Sequence, residues 1–352
     1  MATNTPESRR PRTDLRSAVQ YAGIGVTTIL ALAMLLFVLA SWLRDVPAFG
    51  TIYQQYLILG MWIDYWLGTN VFRLALTWRS LSMGVLIGII APMVGTFLVH
   101  RQMALIGETL AHTAFAGVAI GFVAAAIVGS NLWFYELNPL HVALVVSILG
   151  ALGVQWLADR TDVYGDVPIA IMLTGSFAVG TIVINVGPGQ PGFGIEDYLW
   201  GDLSIVTTGG ARMVALFSVL VVAAIALTYR QLLFITFDEQ AARVARINVD
   251  FYNTLLVVMT AVVVVGAMQV LGVILVAGML VIPVAAASQL ARGFHEAMTL
   301  SILFGQLSVI GGFALAIWQR LPTGGSIIVV AVALYLLTIF ATGRSVRALS
   351  TH

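Results

Sequence analysis

The chain has 352 residues, of which 60% are hydrophobic and 9% are charged, against about 25% charged residues in an ordinary soluble domain. Its mean hydropathy is +0.98 and long apolar runs recur, which excludes a water-soluble globular protein and predicts a chain embedded mostly in lipid. The 17 basic and 16 acidic residues nearly cancel, so charge gives no case for binding nucleic acid.

All 17 basic residues are arginine, and the chain contains neither lysine nor cysteine. A Walker A loop needs a lysine to reach the phosphates of a nucleotide, so this chain cannot hydrolyse ATP in that way. Without cysteine, a metal ion would have to be held by His, Asp, Glu or Met side chains.

The first segments predict one transmembrane helix and one interfacial stretch. Residues 1–18 form a polar, Arg-rich tail, and an apolar run from Val19 to Leu43 follows. This run is longer than a signal-peptide core, so we expect an uncleaved helix with its N-terminus in the cytoplasm. The stretch from Thr51 to Phe72 is rich in aromatic residues but interrupted by polar ones, which favours the outer interface over a crossing. If it did cross, the inside and outside of every later segment would be exchanged.

Nine further apolar segments of helical length follow, at about 80–99, 105–128, 139–157, 168–186, 209–229, 251–267, 269–290, 297–318 and 326–343. With the first helix they predict an all-α polytopic membrane protein of about ten transmembrane helices. Cytoplasmic loops carry an excess of basic residues, and this topology leaves 12 of the 17 arginines on the cytoplasmic side. The remaining five are Arg44, Arg73, Arg79, Arg212 and Arg320. The arginines therefore favour a multi-pass protein of the cell membrane with both termini in the cytoplasm, including a tail at 344–352.

Two ionisable residues lie inside one predicted span. Glu108 is about one turn into the segment 105–128, and His112 follows four residues later, so both occupy one face of a helix. A charged group at membrane depth costs about 2.5–3.5 kcal/mol and is usually functional, paired or next to water. The two side chains could bind a divalent cation weakly enough to release it, as transport requires. Pairing with each other or with a neighbouring helix is an equally weighted alternative.

The stretch from Arg230 to Asn253 is polar enough to leave the membrane. Its acids, Asp238 and Glu239, stand where a helix N-terminus favours them, and Arg243 follows near the C-terminal end, which favours cations. A short cytoplasmic helix with this charge pattern could press into a groove of a soluble partner. On physical grounds alone, an ordinary loop is the favoured interpretation.

Four stretches in this order resemble the permease subunits of zinc, manganese and iron ABC importers, the ABC-3 group. They are GVLIGIIAPMVGTFLVHRQMALIGETLAHTAFAGVAIGF, LLFITFDEQAARVARINV, VLGVILVAGMLVIPVAAASQLA and LPTGGSIIV. The resemblance extends from about Leu81 to Leu337 and implies a permease domain at 80–343 with a core of eight or nine helices. Residues 19–79, the extra N-terminal helix and outer segment, go beyond that core and have no assigned function.

The resemblance implies a transport subunit that is not itself an enzyme and has no permanently bound cofactor. Its implied partners are a second copy of itself, cytoplasmic ATP-binding subunits that use the ATP, and an extracytoplasmic metal-binding protein. In the family, a D-x3-H pattern lies on the metal pathway, and here the pattern falls on Glu108 and His112. Glutamate in place of aspartate keeps the charge and lengthens the side chain, so metal preference is not carried over.

The family's F-D-E segment acts as the helix that couples the permease to its ATPase. Within the cytoplasmic segment 230–250 it falls on Phe237, Asp238 and Glu239, with Ala242 at the small position that follows. This implication reverses the preference for an ordinary loop. The family usually has glycine where this chain has Arg246, and a left-handed helix stop is unfavourable for arginine, so we expect the helix to end differently here.

The transported ion is left open, because a Glu/His pair suits zinc, manganese and iron alike. A permease for an iron chelate or cobalamin is one alternative. An ion-coupled secondary transporter is another, although it would need a relay of membrane carboxylates or histidines. A membrane scaffold without transport activity is a third.

Overall fold

The computed structural model describes residues 12–128, 139–160, 167–186, 195–201 and 206–342, and the predicted tails therefore lie largely outside it. Over those ranges the chain is entirely helical, without a strand, which confirms the all-α prediction. The helices are α1 (Arg12–Trp42), α2 (Pro47–Leu67), α3 (Ala75–His100), α4 (Leu105–Val128), α5 (Pro139–Arg160), α6 (Val167–Val186), α7 (Ile195–Trp200), α8 (Thr208–Phe237), α9 (Glu239–Val244), α10 (Val249–Leu271), α11 (Val273–Leu290), α12 (Phe294–Gln319) and α13 (Thr323–Thr342).

Ten of these helices are long and apolar enough to cross a membrane, and they match the ten predicted spans in order. The largest extensions beyond the predicted spans are at the start of α1 and at the end of α8. The apolar part of α1 starts at Gln20, but the helix begins at Arg12. The helix α8 does not end near residue 229 but continues for two turns to Phe237, where Leu232 and Ile235 are buried.

The centre of the bundle is formed by α3 and α10. In their most apolar windows, 89% of the α3 residues and 78% of the α10 residues are buried, as expected for helices that are hydrophobic on every side. Close backbone contacts surround α3. A Cβ atom at Gly95 would collide with the carbonyl oxygen of Leu280 on α11, and one at Gly88 would lie 3.3 Å from the carbonyl oxygen of Gly305 on α12. These glycines allow neighbouring helices to approach closely.

The helix α1 packs antiparallel to α3. Phe37 stacks near Trp78, with ring centroids 6.0 Å apart, and the Ser82 hydroxyl lies 3.4 Å from the sulfur of Met34. The earlier residue of α1 contacts the later residue of α3, so the two helices run in opposite directions. Because α1 ends and α3 begins on the same side of the bundle, the intervening α2 has both of its ends on that side.

The helix α2 is outside the set of ten candidate spans, and a buried carboxylate fixes its C-terminal end. Asp64 accepts a hydrogen bond from the hydroxyl of Thr69 at 2.6 Å. It also accepts three backbone N–H bonds, from Val71 and Phe72 at 3.0 Å each and from Arg73 at 2.8 Å. This carboxylate shapes the turn that leads into α3.

Candidate functional site

Glu108 lies in the first turn of α4, where the helix dipole favours an acid. Its side chain is exposed on the surface of the single chain, although it belongs to a candidate span. A carboxylate at such a position has to face water or protein rather than lipid. In the first turn of α4, Glu108 is open to water or to a second protein chain.

His112 stands one turn further along α4 and is half-buried. Its ring lies edge-on to Phe177 of α6, with centroids 5.1 Å apart. The Nδ1 atom is buried and has no hydrogen-bond partner among the described residues. Because the Nδ1 atom is covered by protein, its missing partner does not by itself open a site for an ion. The half-buried ring is a candidate ligand beside Glu108, since a neutral imidazole is a common metal ligand.

The neighbours of α4 hold this pair of side chains in position. A Cβ atom at Gly117 would lie 2.6 Å from the Cα atom of Ala143 on α5, and one at Gly180 of α6 would lie 3.1 Å from the Cα atom of Ala116. Such backbone approach leaves α4 little room to rotate. Within the described ranges, no group of three or more His, Cys, Asp or Glu side chains could hold a metal. The site offers two donors, a carboxylate oxygen and an imidazole nitrogen, and these suit several divalent ions.

The six-residue helix α9 lies between α8 and α10 and is capped at both ends. Asp238 is its N-cap, and its Oδ1 atom accepts a hydrogen bond from the backbone N–H of Ala241 at 2.8 Å. At the other end the N–H of Arg246 bonds to the carbonyl of Arg243, and the N–H of Ile247 bonds to that of Ala242. This is the Schellman pattern of helix termination. Ile247 also packs on the small cluster that contains Ala242, as that motif requires.

The expectation that α9 ends differently because of Arg246 is wrong. Arg246 has φ of 60° and takes the left-handed conformation itself. Two backbone hydrogen bonds and the apolar contact of Ile247 offset the steric cost that a side chain incurs there.

The predicted coupling residues occupy different surfaces of this region. Phe237 is 66% exposed and touches Phe294 of α12 edge-on, with centroids 5.8 Å apart. Ala242 is fully buried against Ile235 and Val249. It therefore attaches α9 to the bundle, and the surface open to another protein is formed by exposed residues such as Phe237 and Val244.

Glu239 is held by two arginines of its own chain. The exposed Arg243 donates to Glu239 Oε1 at 2.9 Å. On the other side, Arg101 Nη2 lies 3.8 Å from Glu239 Oε2, and the Arg101 side chain is only 8% exposed. The same Nη2 atom donates to Oδ1 of Asn253 at 2.6 Å. Burial lowers the pKa of Arg101, and the nearby Glu239 carboxylate partly offsets that effect.

Arg101 is a residue that sequence reasoning missed. It sits in the turn between α3 and α4, where Arg101 N–H bonds to the carbonyl of Phe97, Met103 N–H to that of Leu98, and Ile106 N–H to that of Met103. A loop arginine is ordinary in sequence, and only folding places this one beside α9. Its contacts show that α9 and the start of α4 lie at the same end of the bundle.

Ten long apolar helices within the described ranges, with the capped surface helix α9 between two of them, are the architecture of a multi-pass membrane protein. Residues 73–342 match the ABC 3 transport family. This match covers well over half of the chain, and the chain belongs to that family. The helices α1 and α2 and most of the turn that follows α2 precede the matched range.

Curated relatives and a solved structure agree with this assignment. The chain is 25% identical over 265 residues to the high-affinity zinc uptake system membrane protein ZnuB of Haemophilus influenzae, covering 75% of this chain and 97% of that protein. It is 29% identical over 264 residues to the manganese transport system membrane protein MntC of Halalkalibacterium halodurans, covering 74% and 86%. PsaBC from Streptococcus pneumoniae, solved in complex with Fab, superposes with a TM-score of 0.67 at 27% identity, over 76% of this chain and 92% of that one.

Proposed function

We propose that the chain is the permease subunit of an ATP-driven importer that moves a divalent metal ion, zinc, manganese or iron, into the cytoplasm. Membership of the ABC 3 transport family and the zinc and manganese relatives support this proposal. The working assembly is a homodimer in the cell membrane with both termini in the cytoplasm. Two cytoplasmic ATPase subunits use the ATP, and an extracytoplasmic metal-binding protein delivers the ion.

The observation that carries the proposal is the exposed carboxylate of Glu108 one helical turn from the half-buried imidazole of His112. A second copy of the chain placed against this face would shield Glu108 from lipid. It would also leave a polar path between the two copies of α4. Two donors per chain bind an ion loosely, which suits passage better than storage.

The short helix α9 is the contact with the ATPase. Exposed apolar residues flank this helix: Phe237, the last residue of α8, is 66% exposed, and Val244, at the C-terminal end of α9, is 86% exposed. The buried Ala242 and the Arg101–Glu239 pair join it to the bundle. Because Arg101 lies in the turn before α4, a movement of α9 is transmitted to the start of α4. Glu108 lies on that helix, seven residues after Arg101. In this way closure of the ATPases shifts the helix that carries the metal pair and alternates its access between the two sides.

Metal uptake in cells tests the proposed pathway. Glu108→Gln and His112→Ala should each abolish most uptake while the protein still inserts in the membrane, because each removes one of two donors. Matched controls are Glu296→Gln, in the first turn of α12, and His141→Ala, an exposed histidine of α5. Both controls should transport normally, and normal uptake by both test variants would overturn the assigned pathway.

The same assay separates the alternative substrates. For a metal-ion importer, free zinc, manganese or iron competes with the labelled ion. A permease for an iron chelate or cobalamin would show no such competition, and a secondary transporter would keep working without ATP. No feature of the described residues favours either alternative.

A further inference from the structure

An apolar crevice of about 690 Å³ lies between α1 and the rest of the bundle. Its walls come from α1, α3, α8 and α12, with apolar side chains such as Leu32, Leu86 and Val222 along its length. This size is within the range of about 300–1,000 Å³ that is typical of ligand pockets. The extra N-terminal helix therefore forms one wall of a surface groove that could hold a ligand.

The occupant of this crevice has to be apolar along its length. The walls include several hydroxyl groups, but each donates to a backbone carbonyl of its own helix: Thr27 and Thr28 to Ile24, Ser218 to Val214, and Thr299 to Glu296. These hydroxyls do not need a donor or acceptor from a ligand. A polar peptide would lose its own hydrogen bonds to water without replacement.

The length of the crevice corresponds to one leaflet of a bilayer. On α1 the lining extends from Ile24 to Leu35, which is about 16 Å at 1.5 Å per residue. Half of the hydrocarbon core of a membrane is about 15 Å. On α12 the lining begins at His295, next to Phe294, which contacts Phe237 at the end of the bundle that carries α9. The crevice therefore starts at that end, and its length is that of one acyl chain of that leaflet.

The open end of the crevice has basic character. His295 lines it and contacts the ring of Tyr229 on α8, with centroids 6.5 Å apart. Arg230 follows Val219 of the wall by eleven residues, or three helical turns, so it lies on the same face of α8 just beyond the crevice. The nearby carboxylate of Glu296 is engaged by Gln20 at 3.0 Å and by the backbone N–H of Arg292 at 2.8 Å. An anionic head group would fit this end.

A second copy of the chain is a poor candidate for filling the crevice. The helix α1 packs mainly on α2, α3, α8 and α12, whereas α4, with Glu108, packs closely on α5 and α6. The face proposed for dimerisation is therefore formed by different helices from those around the crevice. Phospholipid is abundant in the surrounding bilayer and has the required shape and polarity.

We infer that this crevice is a binding site for an anionic phospholipid of the α9-side leaflet, with one acyl chain between α1 and α8 and its phosphate beside Arg230 and His295. The lipid joins the extra helix to α8 and α12. Since α8 leads directly into α9, a bound lipid stiffens the helix that precedes the coupling segment. The site gives the extra N-terminal helix a function that is independent of the metal pathway.

Lipid retention by the purified full-length chain tests the site. The protein is equilibrated in phosphatidylcholine nanodiscs that contain a minor fraction of phosphatidylglycerol, then released into mild detergent and weighed by native mass spectrometry. The wild type should retain phosphatidylglycerol in preference to phosphatidylcholine. Val222→Trp, which fills the crevice, should lose one retained lipid per chain. Its matched control is Leu220→Trp, on an exposed stripe of α8 outside the lining, and it should retain lipid like the wild type.

The charge at the open end gives a second measurement. Arg230→Gln should lower the preference for phosphatidylglycerol about fivefold, which corresponds to the contribution of one basic residue near a membrane surface. Arg246→Gln, an exposed arginine at the same end of the bundle, should leave it unchanged. Ala223→Leu is a milder filling variant if Val222→Trp does not fold, and it should weaken retention.

Three results would overturn the inference. The wild type could retain no lipid, both filling variants could retain as much as the wild type, or retention could be equal for the two lipids. If the Val222→Trp protein no longer formed a dimer but still retained its lipid, the crevice would be an interface between copies of the chain.

Discussion

The Arg101–Glu239 contact predicts that transport and ATP hydrolysis can be separated by one substitution far from the metal pair. Arg101→Met removes the guanidinium, and with it the 2.6 Å hydrogen bond to Asn253 and the 3.8 Å contact with Glu239. A hydrogen bond to a charged group contributes about 1.5–3 kcal/mol, and an ion pair with a partly exposed partner contributes at most about 1 kcal/mol. Because Nη1 of Arg101 is buried without a partner among the described residues, removing the charge also relieves a desolvation cost.

The net expectation for Arg101→Met is a loss of about 1–2 kcal/mol in the attachment of α9, or a factor of about 5–30 in its population. The assay is metal import per ATP hydrolysed, in proteoliposomes that contain the permease and the ATPase proposed as its partner. The ratio should fall several-fold while ATP hydrolysis continues and the thermal stability of the permease changes little. Arg243→Met is the matched control, since Arg243 contacts Glu239 from the exposed side, and it should have a small effect.

A double-mutant cycle isolates the pair itself. Arg101→Met and Glu239→Gln should be less than additive in their effect on the coupling ratio, because each removes the same contact. The exchange Arg101→Glu with Glu239→Arg should recover part of the loss. An unchanged import-to-hydrolysis ratio in Arg101→Met, or strict additivity in the cycle, would refute this mechanical link.

Three further predictions concern stability. Burial by itself raises the pKa of Asp64, but hydrogen bonds from Thr69 and from the backbone of residues 71–73 outweigh it and lower the pKa. The folded state therefore gains stability above the ordinary value of about 3.9 and loses it as the pH falls through the lower folded value. The hydrogen-exchange protection factors of the amides in 69–73, taken relative to the intrinsic rate at each pH, should fall at acidic pH in the wild type and at all pH values in Asp64→Asn. Arg246→Gly should stabilise α9 by about 1 kcal/mol, since glycine accepts a φ of 60° without steric cost, and a lower melting temperature would contradict this. Gly95→Ala should destabilise the bundle by about 1–3 kcal/mol through collision with α11, whereas Gly25→Ala, with nothing within 4 Å of the added methyl, should be neutral or stabilising in the same thermal-unfolding measurement.

The helical architecture was predictable from sequence because membrane spans are set by length and hydropathy. Ten apolar runs predict ten spans, and the structure has them in the same order. The boundaries of α8 were not predictable in this way. Leu232 and Ile235 are buried by tertiary contacts, and these keep the helix regular beyond the point where hydropathy falls at Arg230.

The candidate site was only partly predictable. The i, i+4 spacing places Glu108 and His112 on one helix face, but the half-burial of His112 depends on its packing against Phe177 of α6. Nothing in the sequence near Arg101 indicates that it meets Glu239, which is more than a hundred residues away along the chain. The conformation of Arg246 could not be predicted from the sequence for the same reason. Arginine disfavours a positive φ, but the hydrogen bonds of the Schellman motif, which involve Ala242 and Ile247, outweigh that preference.

The most direct test of the central claim is metal accumulation by proteoliposomes that contain the permease and its ATPase, with and without ATP. The proposed function predicts uptake of labelled zinc, manganese or iron that requires ATP, is competed by the free ion, and is lost in Glu108→Gln but retained in Glu296→Gln. Uptake that continues without ATP and follows a proton or sodium gradient would contradict it, as would full ATP-dependent uptake by Glu108→Gln.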